Sequence, residues 1–84
     1  MQRYMIRRHV RNGDLAFWRV TTDDGVYGDY VSENAALQGA VEAAQEAGEA
    51  GHPAQEVLTH GIDGTGAVRW GYGDPYPYPY RLHG

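Results

Sequence analysis

Arg3-Tyr4-Met5-Ile6-Arg7-Arg8-His9-Val10-Arg11-Asn12-Gly13-Asp14-Leu15-Ala16-Phe17-Trp18-Arg19-Val20-Thr21-Thr22 decides the fold class of this chain. From Tyr4 to Val10 the residues alternate: Tyr4, Ile6, Arg8 and Val10 point one way, and Arg3, Met5, Arg7, His9 and Arg11 the other. A period of two is the signature of a strand. Asn12-Gly13-Asp14 supplies hairpin chemistry, because Asn and Gly tolerate positive φ. The second strand, Leu15 to Thr22, sets Ala16, Trp18 and Val20 on one face and Leu15, Phe17 and Arg19 on the other.

Working outward, Thr22-Asp23-Asp24-Gly25 reads as a second turn and Val26 to Val31 as a short third strand, weakened by Gly28. Ser32 is placed to cap a helix, and Glu33 suits the positive end of its dipole. The helix is expected from Glu33 to about Ala47, with Ala36, Leu37, Ala40, Val41, Ala44 and Ala47 as its apolar stripe. Gly48, Gly51 and Pro53 are its expected terminators. Because the stripe is mostly Ala, the large core groups must come from the strands. Gln55 to His60 reads as a fourth strand, Gly61 to Gly66 as a glycine-rich reversal, and Ala67 to Trp70 as a fifth strand. The expected fold is therefore α+β: a small antiparallel sheet in the order β-β-β-α-β-β with one helix on one face.

The C-terminal Gly71-Tyr72-Gly73-Asp74-Pro75-Tyr76-Pro77-Tyr78-Pro79-Tyr80 cannot continue that pattern. Proline at every second position fixes φ and removes backbone donors, which excludes helix and central strand. The expected organisation is one domain over residues 1–73 and an extended Pro/Tyr-rich arm over 74–84, its first part docked on the domain.

The chain has 84 residues, enough for one small domain with a modest core. It contains no Cys, so neither a disulfide nor a thiolate–metal site supports it. No apolar run approaches membrane-spanning length, and the first residues lack a signal-peptide core, so a cytoplasmic protein without membrane association is expected. All seven basic residues are Arg, which with the Ala and Gly content suggests a GC-rich bacterial or phage genome. The net charge of −4 is unevenly spread. Five of the arginines lie in residues 1–19 and nine of the eleven acids in 20–68, an asymmetry that bears on partners rather than fold.

Three surfaces qualify as binding sites. Tyr76, Tyr78 and Tyr80 of the arm resemble extended segments read by aromatic-lined grooves, though proline here alternates with tyrosine and no basic residue flanks a clean Pro-x-x-Pro. Glu42, Glu46 and Glu49 lie off the apolar stripe of the helix and would meet a basic partner. Arg3, Arg7, Arg11, Phe17 and Arg19 would share the uncovered sheet face if the first two strands pair in register, giving arginines for phosphates and a ring for bases. The four histidines, His9, His52, His60 and His83, match no metal-ligand spacing. Gly61-Ile62-Asp63-Gly64-Thr65-Gly66 has no helix after it, so it is not a phosphate loop. No catalytic nucleophile, acid–base pair, metal set or cofactor loop is recognisable, so neither an enzyme nor a cofactor is expected.

In order, His9-Val10, Trp18-x-Val20, the Ala-rich helix, Gly61-x-Asp63-Gly64 and Tyr72-Gly73-Asp74-Pro75-Tyr76-Pro77 resemble a small bacterial domain family of unknown function. The resemblance runs from about His9 to Pro77 and implies an α+β fold; it implies no activity. The chain departs from the pattern in its longer loop from Glu49 to Ala54 and in the further Tyr78-Pro79-Tyr80 repeat.

The expected function is a non-catalytic protein–protein interaction module whose partner is another protein or a second copy of itself. The alternatives are a single-stranded nucleic-acid binder using the basic sheet face, and a phage inhibitor of a host nucleic-acid enzyme.

Overall fold

In the computed structural model, which describes residues 1–13, 15–60 and 66–75, five strands and one helix follow each other in the expected order. They are β1 (Gln2–Arg11), β2 (Leu15–Thr22), β3 (Gly25–Tyr30), α1 (Glu33–Glu49), β4 (Gln55–His60) and β5 (Gly66–Gly71). The architecture is α+β, two layers, with the sheet ordered β3-β2-β1-β4-β5.

The β1–β2 hairpin pairs His9 with Phe17 and Arg7 with Arg19. Asn12 and Gly13 take φ of 53° and 88°, the left-handed values that the Asn-Gly step allows.

One pairing departs from the expected antiparallel sheet: β1 and β4 are parallel, with Tyr4 beside Val57 and Ile6 beside Thr59. The reason is directional. After β3 the chain must travel back along the sheet, and a 17-residue helix covers roughly 25 Å in doing so. The helix thus uses up one chain reversal, and β4 starts at the same end as β1. Parallel neighbours require such a crossover.

The helix begins where expected. Ser32 is extended, and its Oγ accepts the Ala35 amide at 3.1 Å. It ends later than the sequence suggests. Gly48 is not a terminator but a buried helical residue. Gly51, with φ of 108°, supplies the stop; its amide reaches Gly48 O at 3.2 Å and the His52 amide reaches Ala47 O at 3.0 Å.

The core lies between the helix and one sheet face. It contains Tyr4, Ile6, Val20, Val57 and Trp70 from the strands, and Ala36, Leu37, Ala40, Val41 and Ala44 from the helix. Small helix residues leave room for rings. A Cβ on Gly39 would collide with the Tyr30 ring, and one on Gly48 with the Tyr72 ring. Burial pushes the Tyr30 phenol above its ordinary range, with smaller contributions from Tyr27 and Glu42. Tyr4 is shifted the same way, first by burial and then by Tyr27, with which it makes an edge-on contact at 6.0 Å.

Beyond β5 the chain turns back onto this core. The Tyr72 amide donates to Gln55 O, and Tyr72 packs edge-on to Trp70 at 6.5 Å. The Trp70 indole Nε1 donates to Asp74 O at 3.0 Å, and the Gly71 amide to Asp74 Oδ2 at 3.0 Å. The rest of the arm, with Tyr76, Tyr78 and Tyr80, lies outside the described residues, as do most of the Gly61–Gly66 reversal and His83.

Candidate interaction face on the open side of the sheet

Among the described residues, the helix covers one face of the sheet and the other is open. Cross-strand register assigns the residues of the open face. Arg3, Met5, Arg7, His9 and Arg11 of β1 share it with Leu15, Phe17, Arg19 and Thr21 of β2, because Met5 pairs with Thr21, Arg7 with Arg19, His9 with Phe17 and Arg11 with Leu15. The sequence-derived set of Arg3, Arg7, Arg11, Phe17 and Arg19 is thereby brought onto one surface. Glu42, Glu46 and Glu49 are exposed on the opposite side of the molecule, along the outer helix.

Two edge-strand irregularities complete the open face. In β3, Gly28 pairs with Val20 but Val26 pairs with Thr21, so Tyr27 is an extra residue. In β5, Trp70 pairs with Val57 but Val68 pairs with Leu58, so Arg69 is the extra one. A bulge resets the alternation of its strand. Val26 and Val68 therefore face outward, while Tyr30 and Trp70 still face the helix.

The result is a continuous cross-strand row over all five strands: Val26, Thr21, Met5, Leu58 and Val68. At sheet spacing it is roughly 19 Å long. Val26 and Val68 at its ends are 59% and 57% exposed, and the three inner residues are half-buried. The Met5 Cε and the Leu58 Cδ2 both lie over Gly66, which has no side chain to separate them from the edge.

Charged rows flank this apolar belt. On one side Arg3 Nε donates to Glu56 Oε1 at 3.2 Å, across the β1–β4 pair. On the other, Arg19 makes two bonds to Asp29, from Nε to Oδ1 at 2.8 Å and from Nη2 to Oδ2 at 3.0 Å. Arg11 approaches the same carboxylate at 3.8 Å. Hydrogen bonding from Arg19 is the main cause that holds the Asp29 carboxyl below the usual Asp range; desolvation opposes it, and the charges of Arg19, Arg11 and His9 add smaller lowering effects.

Phe17 is surrounded. His9 stacks on it at 5.3 Å with the rings 17° apart, and the Arg11 and Arg19 guanidiniums sit 4.4 and 5.3 Å from its centroid. Its π-face is already used by cations of the same chain.

A cleft of about 610 Å³ at the far end of the helix is lined by Met1, Tyr4, Ala47, His52, Pro53 and Gln55, among others. Gln55 is buried there; its Nε2 donates to His52 O at 2.7 Å, while its Oε1 has no hydrogen-bond partner among the described residues.

Sequence reasoning found the arginines and Phe17 and placed Met5 on their side of β1 without singling it out, but missed Thr21, Val26, Leu58, Val68 and Asp29. Strict alternation puts Val26 with Tyr30 and Val68 with Trp70, on the buried face. No signal within either edge strand announces its bulge; only pairing with the neighbouring strand reveals it.

Among the described residues, no helix is long and apolar enough to cross a membrane. Comparison with protein-family models, curated proteins and solved structures returns no match.

Proposed function

We propose that this chain is a non-catalytic protein–protein interaction module that works through the open face of its sheet. The observation that carries this reading is the apolar belt from Val26 to Val68, framed on both sides by charged side chains. An apolar centre with a polar rim is the usual anatomy of a protein interface. A two-layer domain with a bacterial or phage composition and no recognisable catalytic set fits this role.

Site-specific photo-crosslinking in the native host tests the reading. A photoreactive residue at Val68 is expected to give a discrete protein adduct, and the same residue at Glu46 on the outer helix is expected to give none. An adduct only from Glu46 would transfer the function to the acidic helix face. No protein adduct from either position would overturn it.

The second reading is single-stranded nucleic-acid binding, favoured by the common orientation of Arg3, Arg7, Arg11, Arg19 and Phe17. Oligonucleotide affinity measured against salt decides it, because phosphate contacts impose a steep negative slope. An absence of binding at low salt removes this alternative.

A further inference from the structure

Arg7 stands near the middle of the open face, on the central strand, two residues along from Met5 of the belt and directly across from Arg19. Like charges directly opposite each other on antiparallel strands repel. Arg19 is drawn toward Asp29 at the β3 edge, Arg11 shares that carboxylate, and Arg3 holds Glu56. Of the four arginines on this face, Arg7 alone makes no ion pair among the described residues. A cation kept beside another cation and next to an exposed apolar row is thus left without a counter-charge among the described residues.

We propose that the open face takes a protein segment that lays an apolar row along Val26–Thr21–Met5–Leu58–Val68 and sets a carboxylate on Arg7. The proposal rests on the reading of this face as a protein-binding surface, and adds the chemistry of the partner: an acidic, amphipathic segment.

Charge and shape separate this occupant from two others. A second copy would oppose two faces that each carry four arginines against Asp29 and Glu56, a balance of +2 on both sides. Its outer helix would bring Glu42, Glu46 and Glu49, but Gln38 and Gln45 there pair with Glu42 and Glu49 and no apolar row accompanies them. A nucleic-acid strand needs exposed rings for its bases, whereas Phe17 is covered by Arg11, Arg19 and His9 and the belt is aliphatic. An acidic amphipathic segment answers both features, since its apolar row removes the belt from water and its carboxylate relieves the Arg7–Arg19 opposition.

The test uses the full chain, isotope-labelled for NMR, and three synthetic helical peptides. The first carries a leucine stripe flanked by glutamates, the second the same stripe flanked by lysines, and the third the glutamates with serine replacing each leucine. The first is expected to shift the amides of Met5, Arg7, Leu58 and Val68 and to bind at least about tenfold more tightly than either other peptide. Arg7→Glu is expected to invert the order of the glutamate and lysine peptides. Arg7→Gln abolishes the preference without reversing it, and unshifted core resonances of Val20 and Trp70 verify that both variants fold.

Equal binding of the glutamate and lysine peptides at the belt would overturn the acidic preference and leave the protein-binding face standing. No shift by any peptide up to about 1 mM, a concentration that detects even weak complexes, would overturn both. Two further outcomes also overturn the proposal: tighter binding of a thymidine oligonucleotide at the same residues, and self-association through the belt.

Discussion

Arg7 and Arg19 are direct partners in the β1–β2 register, and among the described residues only Arg19 of the two has a carboxylate within reach. The two residues show how the exposed surface is divided. Arg19 is anchored by Asp29 and helps to cover Phe17, whereas Arg7 faces solvent beside the belt. In the isolated chain, removing the Arg7 charge relieves a repulsion and loses no ion pair among the described residues. Arg7→Thr, which also suits a strand, is expected to stabilise the free protein by about 0.2–0.5 kcal/mol. A small rise in the denaturant midpoint at unchanged m-value checks this; a fall would show that Arg7 contributes to the fold.

Asp29 gives the domain a defined acid dependence. Its carboxyl is held below the ordinary Asp range in the folded state. Between the folded and unfolded pKa values the unfolded chain binds the extra proton, so stability increases with pH through that window. The contribution of Asp29 is present above about pH 4 and is lost as pH falls through the folded value. NMR titration of the Asp29 side chain is expected to find its midpoint below that of an unstructured Asp. In Asp29→Asn the acid limb of the stability curve should flatten, and the Arg11 and Arg19 side chains should lose their order.

Gly48 and Tyr72 form a size-matched pair. In an open helix position Gly→Ala would stabilise by about 1 kcal/mol through propensity. At Gly48 the added Cβ meets the Tyr72 ring, and overpacking of this kind costs about 1–3 kcal/mol. Gly48→Ala is therefore expected to destabilise the protein or leave it unchanged. In a Tyr72→Ala background the same substitution should become stabilising. A double-mutant cycle measured by chemical denaturation gives the coupling directly; additive effects would disprove the contact.

Trp70 joins the sheet core to the chain beyond β5. It is 1% exposed and its indole donates to the Asp74 carbonyl. Trp70→Ala is expected to cost about 3–5 kcal/mol, a large share of what a domain of this size possesses. Trp70→Phe keeps much of the apolar volume and loses the hydrogen bond, so a smaller loss is expected. Fluorescence of a Trp18→Phe background isolates Trp70, whose emission should be blue-shifted until the chain unfolds.

Buried Tyr4 and half-buried Tyr30 make the alkaline limb informative. Tyr4 and Tyr30 have phenols raised above their ordinary range, burial being the first cause. The unfolded chain then releases these protons first, so stability is full below about pH 10 and falls as pH rises past it. Tyr30→Phe should weaken that fall in a pH-dependent melt, and an unchanged alkaline limb would contradict the burial of its hydroxyl.

Much of this protein was legible in its sequence because the signals are local. The alternation from Arg3 to Arg11 and from Leu15 to Thr22 names the strands and sorts their faces, so Arg3, Arg7, Arg11, Arg19 and Phe17 emerge together. Asn12-Gly13 names the hairpin, Ser32 the helix start, and the Ala stripe the covered face. What stayed hidden depends on contacts between segments. Gly48 reads as a helix stop until Tyr72 is seen to need the space. The parallel β1–β4 pairing follows from the helix spending a chain reversal. The bulges at Tyr27 and Arg69 exist only relative to Val20–Thr21 and Val57–Leu58. Sequence periodicity by itself determined the elements, their order and the basic character of β1. Tertiary pairing decided that Val26 and Val68 turn outward to join Met5, Thr21 and Leu58, because the side a residue takes on an edge strand is set by its hydrogen-bonded neighbour and not by its own chain alone.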